Sequence, residues 1–207
     1  MQLDRDAVQW STPERERADR PLIVLLHGYG SHEGDLFALS PRLPLGATVA
    51  SVRAPMRESG GFAWWSLAGQ IPGTPDPVAV DAGANAVLDW LDTVEATSIS
   101  LLGFSQGGAI ALQLLRLAPD RFTSAVCVAG FIGSADHAGD ARLAELRPPV
   151  FWGRGTADAV IPAAAVDRTA EWLEAHTTPT IRIYEDLGHS ISTQELSDLT
   201  GFLAEHA

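Results

Sequence analysis

Short apolar runs alternate with longer segments of helical pattern along most of this chain. Six apolar runs predict buried strands at residues 22–26, 47–52, 99–102, 124–129, 150–152 and 180–184. Four further segments predict helices at residues 78–94, 108–117, 163–176 and 194–205. Because this alternation is typical of α/β proteins, we predict a doubly wound, mostly parallel sheet flanked by helices. A short run at residues 7–11 adds a candidate edge strand.

Length and composition limit the size of the fold and the chemistry available to it. The chain has 207 residues, 46% of them hydrophobic, which is enough for one well-buried α/β domain that we expect to span residues 1–207. All 14 basic residues are arginines. The absence of lysine excludes Schiff-base chemistry, Ser-Lys dyads and phosphate-binding loops that need a Gly-Lys-Ser/Thr sequence.

Charge and hydropathy bear on partners and location. The formal net charge of −12 opposes binding to nucleic acids and to anionic membranes, because both require clustered positive charge. We find no secretion signal and no apolar run that could span a bilayer, so we expect a cytoplasmic protein without stable membrane association. The single cysteine, Cys127, is expected to be a buried strand residue. No Cys/His spacing indicates a metal site, and none is expected.

One apolar run leads directly into a glycine-flanked serine and then into a helix. The sequence is Gly103-Phe104-Ser105-Gln106-Gly107, and its glycines allow a tight strand-to-helix turn. Such a turn makes Ser105 a candidate nucleophile and places the backbone N–H of Gln106 at a helix N-terminus, which favours developing negative charge. The hypothesis gives the Gln106 side chain no role. The alternative is an ordinary glycine-rich loop.

Ligands of open α/β sheets bind beyond the carboxyl ends of the strands, so the residues after each strand are the ones to inspect. Residues 27–30, His-Gly-Tyr-Gly, follow the first predicted strand. Their glycines would allow a close approach to an oxyanion, and we predict the backbone N–H of Tyr29 as a second donor. The alternative is a plain turn that starts a helix capped by Asp35.

Two later strand ends supply a carboxylate and an imidazole. Asp158 follows the strand at residues 150–152, and His189 follows the last strand. Imidazole can take a serine proton near neutral pH, and a carboxylate can hold it in the required tautomer. Asp186 is a rival acid, but it precedes His189 so closely that its carboxylate would have difficulty reaching the ring. Asp158 alone would more often be a turn or cap residue.

The segment at residues 53–77 lacks the strand and helix rhythm and is rich in aromatic residues. It is either a surface loop anchored by Trp64 and Trp65 or one wall of a substrate pocket. In the second reading, Phe131 and Val160 would complete the substrate-binding wall.

Taken together, these segments resemble the phospholipase/carboxylesterase family of α/β-hydrolases, which includes small bacterial carboxylesterases and acyl-protein thioesterases. The resemblance covers nearly the whole chain and rests on the stretches 26–30, 103–108, 155–162 and 188–190. It implies an α/β-hydrolase fold without a large cap domain and a catalytic triad of Ser105, Asp158 and His189. It also implies an oxyanion hole formed by Tyr29 and Gln106, and no cofactor.

The resemblance implies a small-molecule ester as substrate. We expect a serine carboxylesterase that acts on short to medium acyl esters through an acyl-enzyme. Acyl thioester or lysophospholipid hydrolysis is the alternative among enzymes, and a ligand-binding protein without turnover is the alternative outside them. Residues 62–67 are an individual version of the variable pocket loop, so specificity is less well indicated than catalysis.

Overall fold

A computed structural model describes residues 1–207. The strands are β1 Gln9–Trp10, β2 Leu22–Leu26, β3 Thr48–Val52, β4 Met56–Glu58, β5 Gly61–Ala63, β6 Ile99–Phe104, β7 Ser124–Val128, β8 Pro149–Gly155 and β9 Thr178–Tyr184. The α-helices are α1 Glu33–Phe37, α2 Pro77–Leu91, α3 Gln106–Leu117, α4 Gly139–Leu146, α5 Ala163–His176 and α6 Thr193–His206. All six predicted strands and all four predicted helices are present.

Seven strands form the central sheet in the order β1-β3-β2-β6-β7-β8-β9, and β4 pairs with β5 in a separate hairpin. Every neighbouring pair in the sheet is parallel except β1 with β3. The mostly parallel sheet and the candidate edge strand are therefore confirmed, and the structure shows that this edge strand is antiparallel. Because the strands are parallel, the loops that follow β2, β6, β8 and β9 meet at one edge of the sheet.

Side chains of the central strands alternate between two apolar layers. Leu22, Val24 and Leu26 of β2 pack toward α2, α3 and α5, whereas Ile23 and Leu25 pack toward α1 and α6. Successive residues of a strand point to opposite faces, so a strand covered on both faces must be apolar throughout. This requirement explains why every residue of β2 is buried.

Helix α4 and the hairpin are not predicted from the sequence, and a helix at the position of α1 is expected only in the alternative interpretation of residues 27–30. Helix α1 has only five residues, and α4 buries a single side chain, Leu143. Neither segment carries the apolar periodicity that a longer amphipathic helix shows. None of the helices is long and apolar enough to cross a membrane.

Glu195 is an exception to the apolar packing near the edge of the sheet at which the loops after β2, β6, β8 and β9 meet. Its side chain is fully buried, and neither carboxylate oxygen has a hydrogen-bond partner. A Cβ at Gly153 of β8 would overlap the Glu195 Oε1, so the absence of a side chain at this position makes room for the carboxylate. Burial, with a smaller contribution from Asp198, raises the pKa of Glu195 to about 7.

The raised pKa of Glu195 predicts a pH-dependent stability. Between its usual pKa of 4.5 and about 7, the folded protein retains a proton that the unfolded chain has released. The free energy of unfolding therefore falls as the pH rises through this interval, by about 3 kcal/mol. A Glu195→Gln variant carries no charge at this position at any pH. We expect it to gain stability relative to the original chain on going from about pH 4.5 to about pH 8, measured by urea unfolding. Glu205→Gln, an exposed position on the same helix, is the control, and equal pH dependence in both variants would contradict the prediction.

Candidate active site

Ser105 lies on a strained turn between β6 and α3. Its backbone has φ 54° and ψ −116°, a combination that residues other than glycine rarely adopt. The Ser105 N–H donates to the Val128 carbonyl at 2.9 Å, and the Ser105 carbonyl accepts from the Ala109 N–H at 3.1 Å. The turn is therefore held from both sides, and the Ser105 hydroxyl projects from the end of the sheet.

The two glycines of the turn are required by close backbone contacts. A Cβ at Gly103 would overlap the Gly107 carbonyl, and a Cβ at Gly107 would overlap the Leu26 carbonyl. Larger residues would push α3 away from β6 and β2. The small residues that flank Ser105 thus have the steric function that the sequence indicated.

A continuous chain of hydrogen bonds joins Ser105 to a buried carboxylate. The Ser105 Oγ lies 2.9 Å from the Nε2 of His189, and the Nδ1 of His189 lies 2.8 Å from the Oδ2 of Asp158. The other oxygen of Asp158 accepts the N–H groups of Val160 and Ile161 at 2.8 and 3.3 Å. The Asp158 side chain is only 6% exposed and that of His189 is 19% exposed. Hydrogen bonds to both of its oxygens therefore fix the orientation of the Asp158 carboxylate.

The rival acid is not part of this chain. Asp186 is exposed, and its backbone N–H donates to the Thr156 Oγ1 at 2.9 Å. Its carboxylate has no contact with His189. The other neighbour of the imidazole is Phe104, whose ring centre lies 5.0 Å from that of His189.

Two backbone N–H groups near Ser105 are free of protein acceptors. Gln106 is the first residue of α3, so its N–H has no acceptor within the helix. The Tyr29 N–H makes no hydrogen bond within the protein. Both residues line the same cavity as Ser105, and a Cβ built on Gly28 would lie 3.5 Å from the Ser105 Cβ. The arrangement can accept an anionic oxygen beside the serine.

The loop that carries Tyr29 is held by the hairpin rather than by a cap at Asp35. Gly30, with φ 72°, donates its N–H to the Phe62 carbonyl at 2.9 Å, and the Phe62 N–H donates to Ser31 at 2.8 Å. The residue that caps α1 is His32, whose Nδ1 accepts the Gly34 N–H at 3.1 Å. The alternative interpretation, in which Asp35 caps this helix, is therefore wrong, because the helix begins two residues earlier.

His27 is a functional candidate that sequence reasoning overlooked. It is fully buried, and burial lowers its pKa, which favours the neutral ring. The His27 Nε2 accepts the Ala54 N–H at 3.1 Å, so the proton resides on Nδ1, which donates to the Gly28 carbonyl at 2.8 Å. That carbonyl belongs to the same peptide unit as the Tyr29 N–H, so the imidazole orients this donor.

A cavity of about 500 Å³ opens in front of Ser105. The predicted wall residues Trp65, Phe131 and Val160 all line it. The fourth, Trp64, does not: it is fully buried, and its Nε1 donates to the His27 carbonyl at 2.8 Å. Trp64 therefore lies in the core, where it supports the start of the loop that carries Tyr29.

The Gln106 side chain has a structural role that the sequence did not indicate. It is buried, its Oε1 accepts the Trp64 N–H at 2.9 Å, and its Nε2 donates to the Trp65 carbonyl at 2.8 Å. Both ends of the amide are satisfied by consecutive backbone groups. The residue after the serine therefore ties the aromatic wall of the cavity to the start of α3.

This contact changes the expected effect of removing the side chain. Gln106→Ala leaves the Trp64 N–H and the Trp65 carbonyl unpaired in a buried region, at about 1 to 3 kcal/mol for each group. We expect a matching loss in the free energy of unfolding and a raised KM for long acyl substrates, because the Trp65 wall loosens. Gln113→Ala on the same helix is the control, since Gln113 bonds only the Asp81 side chain, at 2.6 Å. Equal stability of the two variants would contradict the assignment.

The structure contains no group of three or more His, Cys, Asp or Glu side chains that could hold a metal ion. The thiol of Cys127 is buried in β7, as predicted, and burial raises its pKa to about 12. It belongs to the core behind the site.

Comparisons with known proteins place this arrangement in a family. The phospholipase/carboxylesterase family profile matches residues 10–207. A probable carboxylesterase of Oryza sativa subsp. japonica is 30% identical over 117 residues, which are 56% of this chain and 44% of the rice protein. Carboxylesterase SOBER1 of Arabidopsis thaliana is 25% identical over 213 residues, 89% of this chain and 90% of that protein.

A solved structure supports the same fold over nearly the whole chain. The Bacillus cereus carboxylesterase superposes with a TM-score of 0.81 at 22% identity, covering 96% of this chain and 93% of that chain. The rice protein is matched over less than half of its own length, whereas the family profile covers almost all of this chain. The chain therefore belongs to the phospholipase/carboxylesterase family and has the α/β-hydrolase fold.

Proposed function

We propose that this protein is a serine carboxylesterase that hydrolyses short to medium acyl esters. The observation that carries the proposal is the hydrogen-bond chain from Asp158 through His189 to Ser105, on a strained turn that faces a mainly apolar cavity. Serine alone is a weak nucleophile at neutral pH, and a positioned imidazole removes this limitation. Family membership supports the proposal.

In the acylation half-reaction, the Ser105 Oγ attacks the ester carbonyl carbon while the His189 Nε2 takes the hydroxyl proton. The carbonyl oxygen becomes negatively charged and is stabilised by the Tyr29 and Gln106 N–H groups. Asp158 holds the proton on the His189 Nδ1 and stabilises the imidazolium. When the tetrahedral intermediate collapses, the bond to the alcohol oxygen breaks and His189 gives its proton to that oxygen.

Deacylation repeats the sequence with water as the nucleophile. His189 takes a proton from water, and the resulting hydroxide adds to the acyl carbon. Collapse breaks the bond to the Ser105 Oγ, which recovers its proton from His189. The products are a carboxylic acid and the free serine, so the cycle needs no cofactor.

The cavity lining supports an acyl group of modest length. Trp65, Phe131 and Val160 line the same cavity as Ser105, and apolar burial favours a hydrocarbon chain by about 0.8 kcal/mol for each methylene. The volume of about 500 Å³ lies within the usual range for small-molecule sites.

A matched panel of substrates tests the proposal and its alternatives. We expect p-nitrophenyl acetate, butyrate and octanoate to be hydrolysed, with kcat/KM rising from acetate to butyrate because more apolar surface is buried. A butyryl thioester with the corresponding thiophenol leaving group tests thioester preference. Turnover of the thioester more than tenfold faster, after correction for leaving-group reactivity, would favour a thioesterase. Tight binding of the esters without turnover would favour the ligand-binding alternative.

A further inference from the structure

Two chemically different groups of residues line the cavity in front of Ser105. One group, called here the apolar side, includes Trp65, Leu67, Ile71, Phe131, Val160 and Ile161. The other group, called here the polar side, lies in the loop after β2 and in helix α1 and comprises Tyr29, Ser31 and Asp35. Among the lining residues, Asp35 is the only acidic side chain, and no arginine lines the cavity. The chain contains no lysine that could reach it.

Only one of the two Asp35 carboxylate oxygens accepts a hydrogen bond from the protein. Its Oδ2 accepts the Ser31 Oγ hydrogen at 2.6 Å, and its Oδ1 has no hydrogen-bond partner. The side chain is exposed and lines the cavity, so its carboxylate is accessible both to solvent and to a bound molecule. Ser31 fixes its direction without neutralising it.

The nearby cationic groups are engaged elsewhere. Arg53 forms a bidentate pair with Glu33, at 2.6 and 2.7 Å, and lies over the Phe62 ring. The guanidinium of Arg57 lies 5.3 Å from the centre of the same ring. The His32 Nδ1 accepts the Gly34 N–H at 3.1 Å. None of these groups lines the cavity.

A second carboxylate reinforces the negative field on this side. The Tyr29 hydroxyl donates to the Glu58 Oε1 at 3.0 Å, which also accepts from the Ser66 hydroxyl at 2.9 Å. Two carboxylates are thus bonded to side chains of the loop that carries Tyr29, and no arginine lines the cavity. An anionic group at this place would meet repulsion, whereas a cationic group would be attracted.

We propose that the polar side receives the alcohol portion of the ester and that Asp35 selects alcohols with a quaternary or primary ammonium group over neutral and anionic ones. The proposal rests on the proposed esterase function. The hydrocarbon acyl chain occupies the apolar side, which leaves the side of Tyr29, Ser31 and Asp35 for the alcohol. If the Asp35 carboxylate and the ammonium group are about 4 Å apart and exposed to water, their attraction corresponds to about a fivefold preference for the cationic ester over the neutral one.

Two esters of nearly equal shape isolate the effect of the charge on the alcohol portion. Butyrylcholine and 3,3-dimethylbutyl butyrate differ in having a positively charged nitrogen or a neutral carbon at the branch point. We expect the ratio of their kcat/KM values at low ionic strength to fall about fivefold in Asp35→Asn. Asp89→Asn is the matched control, because Asp89 is exposed on α2, forms no ion pair and lies outside the cavity. It changes the net charge equally and should leave the ratio unchanged.

Inhibition of the original chain provides a second readout that needs no variant. Choline should inhibit hydrolysis of p-nitrophenyl butyrate at a concentration about fivefold lower than 3,3-dimethylbutanol, and added salt should remove the difference. The proposal is overturned if Asp35→Asn and Asp89→Asn change the ester ratio equally, or if choline shows no advantage, while the neutral ester is still hydrolysed. If neither ester is hydrolysed and Ser105 does not react with a phosphonate, the proposed esterase function itself fails.

Discussion

Replacing Ser105 with alanine is expected to lower kcat on p-nitrophenyl butyrate by a factor of about 10⁴ to 10⁶. The variant keeps the oxyanion donors and the cavity but has no oxygen to form the acyl-enzyme. Alanine also carries a Cβ, so the backbone strain at φ 54° is the same as with serine. Stability should therefore change little, and urea unfolding checks this.

The control for this loss is a nearby serine outside the hydrogen-bond chain. Ser190 is exposed and adjacent to His189, and its side chain makes no hydrogen bond. Ser190→Ala should retain most of the activity. If a folded Ser105→Ala protein kept even a tenth of the original rate, Ser105 could not be the nucleophile.

Asp158→Asn is expected to lower kcat by at least about a hundredfold, though less than the roughly 10⁴ known for a triad aspartate changed to asparagine. In the structure, one oxygen of Asp158 is held by the N–H groups of Val160 and Ile161. The asparagine oxygen would keep those contacts and turn its NH₂ group toward the His189 Nδ1. The imidazole would then carry its proton on Nε2, where it cannot accept the Ser105 proton.

Asp186→Asn is the matched control because it removes the same charge from a nearby loop. Asp186 is exposed and does not contact His189, so we expect kcat within about twofold of the original, as for a surface substitution. A larger loss in Asp186→Asn than in Asp158→Asn would move the acid to the loop after β9.

The sequence predicts the fold and the three residues of the hydrogen-bond chain, Ser105, His189 and Asp158, because both depend on local signals. The apolar runs that become β2, β6 and β7 are short and continuous, and they are bounded by glycine, proline or polar residues. Ser105, Asp158 and His189 each follow a strand, and parallel strands place their ends at one edge. Independent local patterns therefore converge on one place in space.

The roles of His27, Trp64 and Gln106 depend on long-range partners and could not be predicted in the same way. His27 bonds to Ala54, and Gln106 bonds to a loop about forty positions earlier. Trp64 and Trp65 are neighbours of the same type and both are buried in the core, yet only Trp65 also lines the cavity. Which side each faces is set by the β4–β5 hairpin and by the Gln106 contact, neither of which has a sequence period.

Glu195 shows a local pattern that the tertiary structure overrides. Ser192 and Glu195 have the spacing of a capping box, in which the glutamate would return a hydrogen bond to the serine N–H. Only half of the motif forms: the Glu195 N–H donates to the Ser192 Oγ at 3.0 Å, while the carboxylate is buried against Gly153. Packing of α6 on the sheet determines this orientation.

Covalent labelling with a serine-reactive fluorophosphonate tests the central claim most directly, because the reagent reacts only with an activated nucleophile beside an oxyanion site. Intact-mass measurement and peptide mapping identify the modified residue. We predict one adduct per chain, located on Ser105, absent in Ser105→Ala and present in Ser190→Ala. An adduct on any other residue, or undiminished labelling of the folded Ser105→Ala protein, would contradict the assignment of Ser105 as the activated nucleophile.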